Sequence, residues 1–129
     1  MTLWRFIMTA GLAAAAACSG GSSSTNVPAG PQITIQDFTF TPSTLTIMAG
    51  TTVTWINKGP SAHTTTSDTG LWGSATMAAP SGGGGYGSGE MPGGAFQFTF
   101  NTPGTYAYHC SLHPPSSYAA FTGTITVTQ

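Results

Sequence analysis

The sequence predicts an all-β domain, either a sandwich or a barrel, on the strength of three observations. From Gln32 onward apolar residues alternate with polar ones, with the two-residue period of a half-buried strand. Threonine, isoleucine, valine and aromatic residues dominate these stretches, and Gly and Pro punctuate them. No stretch has the apolar period of a long helix. A chain of 129 residues is long enough for one such domain with a single core.

The segment QITIQDFTF is the first to show the alternation of a predicted strand. Ile33 and Ile35 share one face, and Phe38 and Phe40 continue the alternation further along the segment. Between the two pairs the phase changes at Asp37, which predicts a β-bulge at that residue.

Two further strands are predicted in LTIMAG and TTVTWIN, which follow a TPS turn and are joined by an Ala-Gly turn. Leu45 and Ile47 alternate in the first of them, and Val53 and Trp55 alternate in the second. We also expect Met48 to lie in the core.

Three more strands are predicted near the end of the chain, in AFQFTF, TYAYHC and GTITVT. Their alternating residues are Phe96, Phe98, Phe100, Tyr106, Tyr108, Ile125 and Val127. Between them and the earlier strands the pattern is weaker, and the glycine-rich segment at about 80–90 predicts a surface insertion. This segment is not a phosphate-binding loop, because it has no preceding strand, no following helix and no lysine.

Charge is scarce in this chain. Two basic and three acidic side chains make up 4% of the residues, so there is no basic surface for phosphates and nucleic acid is not an expected partner. For the same reason, docking to any protein partner is expected to rest on apolar contact and to depend weakly on ionic strength.

The N-terminal segment 1–17 predicts an export signal, because Arg5 precedes an apolar, alanine-rich run that is too short to span a bilayer. Three alanines before Cys18 are typical of a bacterial lipoprotein signal, in which the cysteine is lipidated and becomes the mature N-terminus. The alternative is cleavage without lipidation. Residues 18–31 are rich in Gly, Ser and Pro, which predicts a flexible tether. We therefore expect a periplasmic or outer-surface protein, held to the membrane by its lipid only.

Cys110 and two histidines lie within five residues, in YHCSLH. A disulfide from Cys110 to Cys18 would have to tie the tether to the domain, so we expect Cys110 to be a free thiol, which metal ligation would protect. Cys110 and His113 are spaced to reach one ion, and His63 follows a predicted strand elsewhere. A thiolate with two imidazoles is the ligand set of a blue copper site, whereas structural zinc needs a fourth strong ligand.

These segments together resemble the cupredoxins, in particular the plastocyanin and amicyanin group of small blue copper proteins. The resemblance rests on FTFTPSTLTIMAGTTVTWIN, HTTTSD, PGGAFQFTF and NTPGTYAYHCSLHP with the closing GTITV, and it covers 32–129 apart from the insertion. It implies an eight-stranded Greek-key β-sandwich with one copper ion near one end, cycling between Cu(I) and Cu(II). On this resemblance His63, Cys110 and His113 are the equatorial ligands.

In that family a methionine usually occupies the axial position of the copper site. No methionine follows His113 in this chain, so the sequence leaves three candidates for that position. Counting backward from the closing strand gives Phe121, which cannot coordinate, and counting forward from His113 gives Tyr118; Met91 is a third possibility. Without a soft axial donor Cu(II) is destabilised relative to Cu(I) and the reduction potential rises, whereas a phenolate would lower it.

The function expected from this reading is one-electron transfer between redox proteins, without enzymatic activity, by a monomer that docks near His113. His109 is expected to be structural or at the surface, because a second copper centre would need more histidines than the three in the chain. Two alternatives stay open: a periplasmic copper carrier or storage module, and a metal-free β-sandwich interaction domain.

Overall fold

The computed structural model describes residues 30–82 and 92–129. The segment 1–29, with the predicted export signal, Cys18 and most of the tether, lies outside the described residues. So does 83–91, which contains Met91 and most of the glycine-rich insertion. Within the described residues there are eight strands: β1 (Gln32–Gln36), β2 (Thr39–Thr41), β3 (Thr44–Met48), β4 (Thr51–Asn57), β5 (Thr66–Ser67), β6 (Ala95–Phe100), β7 (Gly104–His109) and β8 (Thr122–Thr128).

The strands form two four-stranded sheets, in the orders β2-β1-β4-β6 and β3-β8-β7-β5. Two pairs are parallel, β1 with β4 and β3 with β8, and the other pairs are antiparallel. Among the described strands none of one sheet pairs with a strand of the other, so the two sheets form a sandwich rather than one closed barrel. The predicted eight-stranded Greek-key sandwich is confirmed.

The change of phase at Asp37 is a hairpin turn, so the predicted β-bulge is wrong. β1 and β2 pair antiparallel, with Gln36 opposite Thr39, and only Asp37 and Phe38 lie between them. Phe38 has a φ of 90°, a conformation that non-glycine residues seldom adopt. Asp37 and Phe38 therefore lie outside both strands, in a turn at one end of the sandwich.

The core lies between the sheets and is rich in aromatic rings. The fully buried large side chains of its centre are Ile33, Ile35, Val53, Trp55, Phe100, Tyr108, Phe121 and Ile125. Met48 contradicts our expectation: it is 64% exposed, because the alternation that buries Ile47 turns the next side chain outward at the end of β3. Gly123 pairs with Tyr108 across β8 and β7, and a side chain at Gly123 would overlap the Tyr108 ring.

Strands β4 and β7 carry the chain to the same end of the sandwich as the Asp37 turn. β4 ends at the buried Asn57, and the loop that follows leads to His63. β7 ends at His109, directly before Cys110. Among the described residues there is no helical segment with the length and hydrophobicity of a membrane span.

Candidate metal centre

Three side chains from two distant parts of the chain converge at this end of the sandwich. The candidate ligand atoms of His63, Cys110 and His113 all lie within 4.8 Å of one another. The Cys110 Sγ is 3.9 Å from Nδ1 of His63 and 3.6 Å from Nδ1 of His113. His63 and Cys110 are fully buried, whereas His113 is only partly buried. The structure thus brings together the three residues that the sequence singled out.

The loop after β4 positions His63. Its backbone pairs with that of Met77, His63 N–H donating at 3.1 Å and Met77 N–H donating back at 2.8 Å. Asn57 donates its side-chain amide to the carbonyl oxygens of Ser61 at 2.8 Å and Met77 at 2.9 Å. His63 is therefore held between two segments that the same buried amide ties together.

Strand alternation and a tight turn position the other two side chains. Cys110 follows the last residue of β7 and lies on the same inner face as Tyr108, two residues earlier. After His113 the chain turns, and the Pro114 carbonyl accepts the backbone N–H of Tyr118 at 3.0 Å. His113 lies directly before this turn, three residues after Cys110, with its Nδ1 3.6 Å from the Cys110 Sγ.

Asp37 binds the far side of the His63 ring. Its Oδ1 lies 2.8 Å from Nε2 of His63, so the ring can donate Nε2–H and leave the Nδ1 lone pair facing Cys110. Asp37 also accepts the hydroxyl of Ser61 at 2.7 Å and its backbone N–H at 3.3 Å. The Ser61 hydroxyl above all, and then His63, hold the pKa of Asp37 below its ordinary value, against the opposing effect of partial burial.

The sulfur of Cys110 accepts weak hydrogen bonds from Thr64, the residue after His63. The Thr64 backbone N–H lies 3.4 Å from Sγ and the Thr64 hydroxyl 3.7 Å from it. The same hydroxyl is fixed by Ser111, whose backbone N–H donates to it at 2.8 Å and whose hydroxyl lies 2.8 Å away. Donors aimed at a ligand sulfur withdraw electron density from it and hold it in place.

Asp37, Thr64 and Ser111 belong to the surroundings of the site but are not predicted from the sequence. Asp37 shows there only a break in the strand pattern, and the two hydroxyl residues have no signature of their own. One signal was available: Thr64 and Ser111 each follow a predicted ligand directly, and a residue beside a ligand is well placed to bond to it.

Aromatic rings close the remaining side of the three-residue group. Phe121 is fully buried, with its ring edge-on to His63 at a centroid distance of 4.9 Å and 6.1 Å from the ring of His113. Tyr118 stacks on Phe38 at 4.2 Å and meets His113 edge-on at 5.3 Å. Met91, the third residue predicted for the axial position, lies outside the described residues.

His109 faces away from the group. It is half-buried on the opposite face of β7, and its Nδ1 lies 2.6 Å from Oδ1 of Asp68. Its neighbour Cys110 points inward, so adjacency in sequence does not bring His109 to the same centre.

The residues present fit a copper ion. A buried, soft sulfur and two imidazole nitrogens turned toward it form the donor set that suits copper, and the hydrogen-bonded partners of two of them are already in place. Within 30–82 and 92–129 no fourth His, Cys, Asp or Glu joins the group, which does not fit a four-ligand structural zinc site.

Comparisons with known proteins agree with this donor set. Residues 29–128 match the family model described as copper binding proteins, plastocyanin/azurin family. The chain is 38% identical over 88 residues to plastocyanin from Scenedesmus fuscus, an alignment that covers 68% of this chain and 85% of that protein. It is 34% identical over 70 residues to amicyanin from Paracoccus denitrificans, covering 54% of this chain and 47% of that protein. The structure also resembles a purple cupredoxin from Nitrosopumilus maritimus, with a TM-score of 0.56 and 26% identity over 76% of this chain and 99% of that one.

Proposed function

Because this chain belongs to the plastocyanin/azurin family of copper-binding proteins and has a site for one copper ion, we propose that it carries single electrons between redox proteins, with the copper cycling between Cu(I) and Cu(II). The observation that carries the proposal is the group of three donor atoms within 4.8 Å of one another, two of them on fully buried side chains. Such a group can bind a redox metal and shield it from water.

In this proposal Nδ1 of His63, Sγ of Cys110 and Nδ1 of His113 are the three ligands. Phe121 occupies the axial side without coordinating, which is supported by its buried ring against His63. Tyr118 is a second candidate for that side, and Met91 a third. A site with no soft axial donor favours Cu(I), so we expect a reduction potential higher than that of a site with axial methionine.

The copper supplies the one-electron redox couple, and the residues of the chain keep its surroundings unchanged. Asp37 fixes the His63 ring, and Thr64 fixes the Cys110 sulfur. Because these hydrogen bonds tie two of the ligands to other parts of the chain, little of the chain has to move when the charge of the site changes. Low rearrangement favours electron transfer over catalysis, and we propose no enzymatic activity.

We place the docking surface around His113. His113 is partly exposed, and the residues beside it, Leu112, Pro114 and Pro115, are exposed. The side chains of Leu112, Pro114 and Pro115 are apolar and uncharged, which suits contact with the apolar surface of a redox protein. We further propose that the chain is exported, anchored at Cys18 by lipid and monomeric.

The test is the spectrum of the copper-loaded protein. We expect an intense visible band from charge transfer between the Cys110 thiolate and Cu(II), which disappears on reduction and returns on oxidation. Cys110→Ser should abolish the band, whereas Ser116→Ala, an exposed residue in the same loop, should leave it unchanged.

Three results would count against electron transfer. Oxidised, copper-loaded protein without the band would exclude the proposed ligands. Loss of the metal within a few redox cycles would favour a copper carrier. Failure to bind copper at all would favour a metal-free interaction domain.

A further inference from the structure

The hairpin turn between β1 and β2 places a carboxylate directly behind a metal-ligand histidine. We propose that Asp37 is a positioning residue of the copper site: it holds His63 with the proton on Nε2, and its negative charge favours Cu(II) over Cu(I). This inference rests on the proposed function, because it assigns Asp37 a part in setting the potential of the same site.

The carboxylate is held at both oxygens by the loop that carries His63. Oδ1 accepts from Nε2 of His63 at 2.8 Å and from the Ser61 backbone at 3.3 Å, while Oδ2 accepts the Ser61 hydroxyl at 2.7 Å. Ser61 precedes His63 by two residues, so the loop and the ring are fixed by one group. A carboxylate held in this way cannot rotate away from the imidazole without breaking two other hydrogen bonds.

The ring nitrogen chosen by Asp37 decides which nitrogen is free. A neutral imidazole has one N–H and one lone pair, and a carboxylate accepts only from the N–H. With the proton on Nε2, the lone pair is on Nδ1, the atom that lies 3.9 Å from the Cys110 sulfur. Asp37 therefore prepares His63 for a metal before any metal binds.

The charge of Asp37 acts on the ion through the ring. A carboxylate on the distal N–H raises the basicity of the ligating nitrogen, and a more basic ligand favours the more highly charged ion. The hydrogen bonds to the sulfur come from Thr64, which is neutral. No ion pair joins Asp37 to Lys58 within the described part of the chain, so its charge is not cancelled there. Asp37 thus opposes the rise in potential expected from Phe121.

Asp37→Asn separates charge from geometry. The amide oxygen can replace Oδ1, keeping the bonds from His63 and the Ser61 backbone, and the amide nitrogen can donate to the Ser61 hydroxyl, which also accepts. The matched control is Asp68→Asn, which removes the same charge from the other histidine–aspartate pair, that of His109.

The first measurement is the reduction potential of the copper-loaded full chain. In Asp37→Asn we expect the Cu(II) affinity relative to the Cu(I) affinity to fall about tenfold, which raises the potential by ~59 mV for a one-electron couple. In Asp68→Asn the ratio should change by about twofold or less, because solvent screens an exposed carboxylate. Equal shifts in the two variants, or no shift in Asp37→Asn, would overturn the role of the charge.

The second measurement uses the metal-free protein and does not depend on the proposed function. Nitrogen-15 NMR of the imidazole should show His63 with its proton on Nε2 in the native chain and in Asp37→Asn. Asp37→Ala should give a mixture of both tautomers, with an otherwise native amide spectrum. An Nε2–H tautomer that persists unchanged in Asp37→Ala would overturn the positioning role. If copper gave no coloured site in any variant, the proposed function would fail while this result still decided the role of Asp37.

Discussion

Trp55 and Asn57 lie two residues apart on β4, and both side chains are fully buried on the same face. They differ in whether their polar groups are hydrogen-bonded. The indole N–H of Trp55 has no hydrogen-bond partner. The amide of Asn57 has four, namely the Gly59 N–H and the carbonyl oxygens of Ser61, Met77 and Ala78. Along β4 the buried polar groups therefore change from an indole without a hydrogen bond to an amide with four partners as the strand approaches the candidate metal centre.

The same change occurs from β7 to the residue that follows it. The hydroxyl of Tyr108 is buried without a partner, whereas two residues later the sulfur of Cys110 accepts contacts from Thr64. Large rings in the centre of the sandwich are held by shape and dispersion, which have little directional preference. Metal ligands must be held in direction as well as position, and hydrogen bonds supply direction. The presence or absence of hydrogen bonds to buried polar groups therefore distinguishes residues that shape the site from residues that stabilise the sandwich.

The largest effect that would test this comparison is expected from Asn57→Ala. The substitution leaves the Ser61 carbonyl oxygen and the Gly59 N–H without a partner and opens a small cavity. The carbonyl oxygens of Met77 and Ala78 each lose one of two hydrogen bonds. We expect the free energy of unfolding to fall by about 3–5 kcal/mol, measured by urea denaturation of the metal-free protein. Copper affinity should fall as well, because His63 loses the support of its loop.

Asn101→Ala is the matched control for Asn57→Ala. Asn101 is exposed in the turn between β6 and β7, so its removal should change stability by less than about 0.5 kcal/mol. A loss below about 1 kcal/mol in Asn57→Ala would contradict the comparison, because the four bonds would then contribute little.

Most of the strands and the three residues of the candidate metal centre could be predicted from the sequence, because both follow local rules. Period-two alternation predicts the strands that carry Ile33, Trp55 and Tyr108, and Cys110 with His113 has a spacing suited to one metal ion. Alternation failed at Met48, where a strand end leaves the side chain in solvent despite its hydrophobicity.

The hydrogen-bonded surroundings of the ligands could not be predicted in the same way. Asp37 is 26 residues from His63, and Thr64 is 46 residues from Cys110, so each contact depends on how two loops fold against each other. Polar residues in loops have no period that reveals a partner. Asn57, at the end of a strand with apolar alternation, was indistinguishable from an ordinary turn residue.

An intermediate effect is expected from the unpaired hydroxyl of Tyr108. Burial raises the pKa of Tyr108 to about 12, and the nearby Trp55 indole opposes this rise without reaching hydrogen-bond geometry. The folded state thus resists deprotonation more than the unfolded state, whose tyrosine titrates near 10. This contribution to the free energy of unfolding is fully present below pH 10 and is lost as pH rises toward 12, by roughly 3 kcal/mol in total.

Tyr108→Phe should remove this pH dependence. At neutral pH the variant should be as stable as the native protein or more stable by about 1 kcal/mol, since it removes a buried hydroxyl without a partner. Denaturant titrations of the metal-free protein from pH 9 to 12 measure both effects. Tyr106→Phe is the control, because the Tyr106 hydroxyl has a partner, the Thr102 carbonyl at 2.8 Å. A marked loss of stability in Tyr108→Phe at pH 7 would show that the hydroxyl is bonded after all.

The smallest effect is expected from the pair formed by His109 and Asp68, which tests whether a close histidine–aspartate contact is enough to influence the site. Its atoms are 2.6 Å apart, closer than those of Asp37 and His63, but half of the Asp68 side chain is exposed. Because solvent screens such a pair, Asp68→Ala should lower stability by no more than about 1 kcal/mol, and less at high salt. The copper spectrum should not change, since His109 lies on the outer face of β7. A loss of stability above about 2 kcal/mol, or an altered copper spectrum, would contradict this expectation. It would show that hydrogen bonds on the outer face of β7 also support the candidate metal centre.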